Sequence, residues 1–123
     1  MGHKEGEFPS IPEMVAANRQ RLEEVVVGAR ASGAKWVVEC RDMWDAQDSD
    51  GGIYFAVCKT DREVDRVAAR CTGSHPDNRL LGVFDVAHAP EDQWPGLKLD
   101  EWQARRAAEG WPLTRRLKEL LKR

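Results

Sequence analysis

The chain has 123 residues, of which 41% are hydrophobic and 33% are charged, and its formal net charge is -2. This length and composition predict one domain with a modest core and exclude a grossly disordered chain. Its apolar runs are far shorter than the roughly 20 residues of a membrane helix. A charged N-terminus and three widely spaced cysteines, typical of buried thiols, lead us to expect a cytoplasmic protein without disulfides.

The first predicted element is a long helix. Ser10, with a proline and a glutamate shortly after it, forms a helix-start signature, and Ser32-Gly33 supplies the stop, so the helix should end near Ala31. Residues 1–9 contain two glycines and a proline and are expected to form a disordered tail, which leaves 10–123 as a single domain. The apolar stripe of the helix consists of Val15, Leu22, Val25, Val26 and Ala29.

Two strands should follow this helix. Residues 35–41 alternate apolar and charged side chains, which favours a strand that buries one side, that of Trp36, Val38 and Cys40. Residues 53–58 are continuously apolar, which is typical of a central strand. The connection between them is rich in aspartate and glycine, so the pair is expected to form an antiparallel hairpin with a long tip.

The second half of the chain contains further helices and one strand. A capping box at Thr60 begins a helix that should end near residue 73, and residues 80–86 read as a third strand parallel to the second. Two helical pieces are predicted at 99–109 and 112–122. The predicted fold class is therefore a small α/β or α+β domain of order α-β-β-α-β-α-α, with one mixed sheet of at least three strands covered by helices.

No catalytic, cofactor or metal motif is complete. In the acidic tip, Asp48 and Asp50 fit a calcium-loop pattern, but Ala46 and Val57 stand at its first and last ligand positions. The spacing of Asp50 and Lys59 partly resembles that of restriction-endonuclease-like cores, except that Val57 replaces the second acid. We therefore predict no catalytic residue, no metal and no cofactor, while a degenerate nuclease-like core that binds nucleic acid stays open as an alternative.

Three arginines support that alternative. Arg62, Arg66 and Arg70 recur every four residues and line one face of the second helix. Glu63 and Asp65 are close enough in sequence to pair with them, so the expected structure is a solvated ion-pair face. The alternative interpretation of these arginines is a ridge that binds anions. The alternative nucleic-acid or metal site consists of Asp50, Lys59, Arg62, Arg66 and Arg70.

The C-terminal region, residues 98–123, is basic. It carries 8 basic and 4 acidic side chains, whereas residues 1–97 carry 11 basic and 17 acidic ones. Three of the five tryptophans lie in the C-terminal third of the chain, two of them within residues 98–123, and Trp with Arg is typical of binding hot spots, although the rings could equally clamp these helices onto the sheet. The candidate binding residues are Trp102, Arg105, Arg106, Trp111, Arg115, Arg116 and Lys118.

These observations favour a non-enzymatic intracellular interaction module over an enzyme. Its basic, Trp-containing C-terminal helices would dock a protein partner or a second copy, and a homo-oligomer is expected because a three-stranded sheet has open edges. One alternative is a nucleic-acid-binding protein with a degenerate nuclease-like core. The other is a small-molecule-binding domain with a pocket walled by Trp36, Trp44 and the sheet.

Overall fold

A computed structural model describes residues 11–46, 51–72 and 76–109. The helices within these ranges are α1 (Ile11–Ala31), α2 (Asp61–Arg70), α3 (Pro90–Gln93) and α4 (Leu99–Ala108), and the strands are β1 (Trp36–Asp42), β2 (Ile53–Cys58) and β3 (Asn78–Asp85). The predicted α/β class and the order α-β-β-α-β-α-α are confirmed. The four-residue helix α3 was not predicted, and the tail at 1–9 and the helix at 112–122 lie outside the described residues.

The three strands form one antiparallel sheet in the order β2-β1-β3. β2 and β3 run in the same direction, as the sequence predicts, but β1 lies between them, so no parallel ladder forms and the sheet is not mixed. β2 is an edge strand, and the prediction that it would be central is wrong because β1 takes that position. The register of β1 against β3 shifts between Glu39 and Cys40.

β1 is buried on both faces of the sheet. On one face, Trp36 and Val38 pack with Val64 of α2 and Trp102 of α4. On the other face, Val37 packs with a cluster from α1 and β3. The domain therefore has three layers, helix on sheet on helix. The predicted burial of the side of β1 that carries Trp36, Val38 and Cys40 is confirmed, and the opposite side is covered as well. The cluster on the α1 face consists of Leu22, Val26, Ala29, Ala34, Val37, Phe84 and Val86.

The start of α2 follows from local chemistry. The Thr60 hydroxyl accepts a hydrogen bond from the Glu63 backbone N–H at 3.2 Å, and the Glu63 carboxylate accepts one from the Lys59 N–H at 2.6 Å. The Thr60 bond is the predicted N-cap, whereas the Glu63 carboxylate binds the N–H of the residue before the cap and not that of Thr60 itself, so the predicted capping box forms only in part. In the described part of the chain, no helix is both long and apolar enough to cross a membrane.

Candidate functional site

A cleft of about 510 Å³ opens between the first half of α1 and the segment 94–98. Its floor is the end of the sheet where β1 finishes and where β2 and β3 begin. This volume falls within the range of roughly 300 to 1,000 Å³ that is usual for small-molecule sites. Apolar side chains make most of its walls, namely Ile11, Met14, Val15, Ile53, Leu81, Trp94 and Pro95, and the polar ones are Asn18, Glu39, Arg41 and Lys98.

The cleft exists because α1 packs on the sheet with its second half. Leu22 and Val26 are at most 1% exposed, whereas Ile11 and Val15 near the start of the helix are 76% and 46% exposed. Val15 belongs to the apolar stripe that the sequence predicts, but it lines the cleft and not the core. The apolar stripe of α1 thus continues beyond the core and forms one wall of an open site.

Glu39 is the distinctive polar group of this cleft. It is only 5% exposed, and burial raises the pKa of its carboxyl group, an effect that the positive charges of Lys98 and Arg21 partly offset. Within the described ranges, no donor makes a hydrogen bond to this carboxylate. No fully enclosed side-chain oxygen or nitrogen in those ranges lacks a partner, so the Glu39 oxygens are accessible from the cleft.

The cations around Glu39 are held by other groups. Lys98 Nζ donates to the Leu81 carbonyl at 3.0 Å, and Arg41 Nε donates to the Gly51 carbonyl at 2.8 Å. Arg21 donates to the Asn18 side-chain oxygen at 3.1 Å. None of these bonds uses the Glu39 carboxylate, and both Glu39 and Lys98 line the cleft, so a mostly apolar surface carries one acceptor and one ammonium donor.

Two of the predicted binding residues, one buried and one partly buried, contact α2. Trp102 is 1% exposed, packs edge-to-face on Trp36 with ring centroids 5.0 Å apart, and donates its indole N–H to Asp65 at 2.9 Å. Arg106 binds both carboxylate oxygens of Asp65 at 2.9 to 3.1 Å. Both side chains therefore hold α4 against α2, which is the clamping role weighed above for these rings.

The remaining candidates of the C-terminal region differ in position. Arg105 is exposed, lies 5.0 Å from the Trp36 ring centroid and pairs with Glu109 at 3.1 Å. Of the three described candidates, it is the one that is exposed, whereas Arg106 is partly buried. The others, which are Trp111, Arg115, Arg116 and Lys118, lie outside the described residues, as does Asp50 of the alternative site.

The arginine face of α2 is exposed, but its predicted counter-ions are used elsewhere. Glu63 caps the helix and Asp65 binds α4. Arg62, Arg66 and Arg70 form no ion pair with any described residue. The expected ion-pair face is therefore a basic ridge, and Lys59 is exposed just before its first turn.

A pocket between Trp36 and Trp44 is not seen. Trp36 is 2% exposed inside the core, and Trp44 is 80% exposed. Neither lines the cleft, which lies on the opposite face of β1 from Trp36. The signal in the sequence that bears on the candidate cleft is Glu39, a single acid between Val38 and Cys40, which indicates a carboxylate that shares the burial of its strand but not where a cleft lies.

The described part of the chain was also considered for metal ligands and for reactive thiols. No group of three His, Cys, Asp or Glu side chains there could hold a metal ion. Cys40, Cys58 and Cys71 are free and buried. Burial raises the pKa of the Cys40 thiol to about 12 and that of Cys58 to about 11, so neither is a thiolate at neutral pH.

Comparison of the chain with protein-family models, with curated proteins and with solved structures gives no match. Function is therefore argued from the geometry and chemistry of the cleft itself.

Proposed function

We propose that this domain binds a small, mostly apolar molecule that carries an uncharged hydrogen-bonding head group, such as an amide or an alcohol. The observation that carries the proposal is the apolar cleft with the buried Glu39 carboxyl group on its floor. A concave, mainly apolar site with a few converging polar groups is the usual form of a small-molecule site.

The charges around the cleft select the head group. A ligand ammonium would be attracted by Glu39 but repelled by Lys98 and Arg21. A ligand carboxylate would be attracted by these two cations but repelled by Glu39. An amide or a hydroxyl group has both a donor for Glu39 and an acceptor for Lys98. It makes both contacts without bringing a further charge into a mostly apolar site.

The first experiment measures binding of the neutral, apolar dye Nile red by its fluorescence. Val15→Asp places a carboxylate on the cleft wall, and the matched control Val27→Asp makes the same change at an exposed position of the same helix outside the cleft. We expect Val15→Asp to weaken dye binding about 10-fold or more, which corresponds to about 1.4 kcal/mol, and Val27→Asp to leave it unchanged. Equal effects of the two substitutions would refute the site.

The second experiment tests the head group by competition against the bound dye. Decanamide, decanoate and decylammonium share one alkyl chain and differ only in the charge of the head. Decanamide should displace the dye at the lowest concentration, because the other two each meet a like charge. If the three displace it equally, only the apolar walls act, and the role given to Glu39 is wrong.

The interaction-module function expected from the sequence stays a prediction, because most of its candidate residues lie outside the described ranges. The same holds for the cytoplasmic setting, for the homo-oligomer and for nucleic-acid binding. The exposed arginines of α2 can be tested independently of the cleft.

A further inference from the structure

The two edges of the sheet differ in how their backbone groups are satisfied. On the β3 edge, Val83 exchanges two backbone hydrogen bonds with Leu97, at 2.8 and 3.0 Å. The Gln93 side chain binds both the N–H and the carbonyl of Asp85, each at 2.7 Å. The Leu81 carbonyl accepts from Lys98. Alternate residues from Leu81 to Asp85 are thus covered by the segment 93–98, which closes this part of β3 to further pairing.

On the β2 edge, the outward backbone groups of Phe55 and Val57 have no such hydrogen-bond partners among the described residues. The hydrogen bond from Asp42 N–H to Gly52 C=O, together with the register of β1 on β2, directs the backbone groups of Tyr54 and Ala56 toward β1. The alternating residues Phe55 and Val57 therefore direct theirs away from the sheet. Neither of these two has a backbone partner among the described residues, and Val57 is 48% exposed.

A basic groove runs along this open edge. It lies between β2 and α2, and its walls include Val57, Arg66 and Arg70. One acid, Glu63, also lines it, with its carboxylate bonded to the Lys59 backbone N–H, so the two arginines outnumber it. Both arginines are exposed, and neither is paired with an acid in the described ranges. They are four helical residues apart, a rise of about 6 Å, which is close to the roughly 6.6 Å between alternate residues of a strand.

We propose that the β2 edge binds an extended acidic segment of a partner protein as a fourth strand of the sheet. Phe55 and Val57 supply backbone hydrogen bonds, and Arg66 and Arg70 contact acidic side chains at alternate positions of the added strand. This surface is separate from the cleft between α1 and the sheet, and the proposal does not depend on a ligand there.

Charge favours a foreign acidic strand over a second copy of this chain. Antiparallel pairing of two β2 edges about a twofold axis would bring the α2 helices of both copies to the same side of the joint. Arg66 and Arg70 of one copy would then approach the same arginines of the other, and such like-charge contacts oppose association.

The test uses calorimetric titration with a peptide of about eight residues, an ordinary strand length, in which glutamate alternates with threonine. A second peptide with lysine in place of glutamate is the charge control. We expect binding of the glutamate peptide alone, with a dissociation constant below about 1 mM. Its binding should slow amide hydrogen exchange at Phe55 and Val57 while exchange at Tyr54 and Ala56 changes little.

Two kinds of variant separate the contribution of backbone hydrogen bonds to peptide binding from that of the arginine charges. Val57→Pro removes an N–H that points away from β1, which an edge strand tolerates, and we expect at least a 10-fold loss of peptide affinity. Arg66→Glu should cause a similar loss, whereas Arg62→Glu, on the same helix but outside the groove, is the matched control and should change affinity less than 3-fold. Arg66→Glu keeps the test valid if the proline variant fails to fold.

Several results would overturn the proposal. These are no binding of the glutamate peptide at about 1 mM, equal binding of the lysine peptide, and equal losses from Arg62→Glu and Arg66→Glu. If a mixed-sequence oligonucleotide bound tightly, with the same affinity for wild type and for Val57→Pro, the arginines of α2 would be a nucleic-acid-binding surface. A dimer of the chain alone that Val57→Pro dissociates, seen by sedimentation, would assign the edge to a second copy.

Discussion

At the scale of single residues, Glu39 connects stability with binding. Its carboxyl group is buried on the central strand and has no hydrogen-bond donor in the described ranges, so burial destabilises its ionised form. Burial accordingly raises the pKa of Glu39, in spite of the nearby Lys98 and Arg21. A polar ligand group that donates to this carboxylate would relieve the same cost, which is why the residue is well suited to orient a ligand.

The raised pKa predicts a specific dependence of stability on pH. The folded state binds the Glu39 proton more tightly than the unfolded state, so this contribution is complete below the ordinary carboxyl pKa of 4.5 and is lost as pH rises through the folded pKa. Glu39→Gln imitates the protonated group. Thermal melts from pH 4 to pH 8 should show little difference between wild type and Glu39→Gln at pH 4 and a higher Tm for the variant at neutral pH.

The control for this experiment is Glu24→Gln, which changes an exposed glutamate of α1. Its Tm difference from wild type should be small, because surface substitutions of this kind usually alter stability by less than about 0.5 kcal/mol. A Tm difference for Glu39→Gln that is the same at all pH values would contradict a raised pKa.

At the scale of elements, the contact between α2 and α4 depends on two aspartates. Asp61 accepts the Trp36 indole N–H at 2.7 Å and pairs with Lys35 at 3.0 Å, and Asp65 binds Trp102 and Arg106. Burial alone would raise the pKa of Asp61, but the hydrogen bonds from Trp36 and Lys35 and the charges of Lys35 and Arg106 lower it overall. The two acids thus satisfy both core indoles where α2 and α4 meet.

Removing one acid should therefore loosen α4. Asp65→Ala leaves the Trp102 N–H and the Arg106 guanidinium without their main acceptor, and we expect a loss of about 2 to 3 kcal/mol in the free energy of unfolding. Urea denaturation followed by tryptophan fluorescence measures it. Glu24→Ala removes a carboxylate from an exposed helical position and should cost less than about 0.5 kcal/mol. A loss for Asp65→Ala no larger than that of the control would show that α4 is held by apolar packing alone.

The same pair of helices shows where sequence reasoning succeeds and where it stops. The start of α2 is predictable because Thr60 and Glu63 make the cap with residues three and four positions away. The partner of Asp65 is not predictable in this way. Arg62 lies only three residues away in the sequence, but the residue that Asp65 binds is Arg106, which is 41 residues away. Local spacing identifies a side chain that can pair, and only the fold decides which charge it meets.

At the scale of the whole molecule, strand order is the feature that the sequence left undetermined. The apolar run 53–58 indicated a central strand, yet its side chains are only partly buried over most of β2, and β1 is the strand covered on both faces. Composition reports how apolar a strand is, while its place in the sheet depends on which partners pair with it. The cleft and the open edge both follow from that placement, so neither could be predicted beforehand.

The closed β3 edge gives the last prediction, because it depends on one glycine. A Cβ atom at Gly82 would collide with the carbonyl oxygen of Pro95, so the segment that covers β3 can approach only where the strand has no side chain. Gly82→Ala should displace this segment and break the pairing of Val83 with Leu97. We expect a loss of about 1 to 3 kcal/mol and, since a second edge becomes exposed, self-association that increases with concentration.

Gly28→Ala is the matched control, because a Cβ at this position of α1 meets no atom within 4 Å. Alanine is the better helix former by roughly 0.5 to 1 kcal/mol, so this variant should be more stable than wild type and unchanged in molecular mass. Light scattering after size exclusion, together with urea denaturation, separates the two outcomes. If Gly82→Ala kept the mass and stability of wild type, the segment 93–98 could shift without uncovering β3, and the contrast between a closed and an open edge would lose its basis.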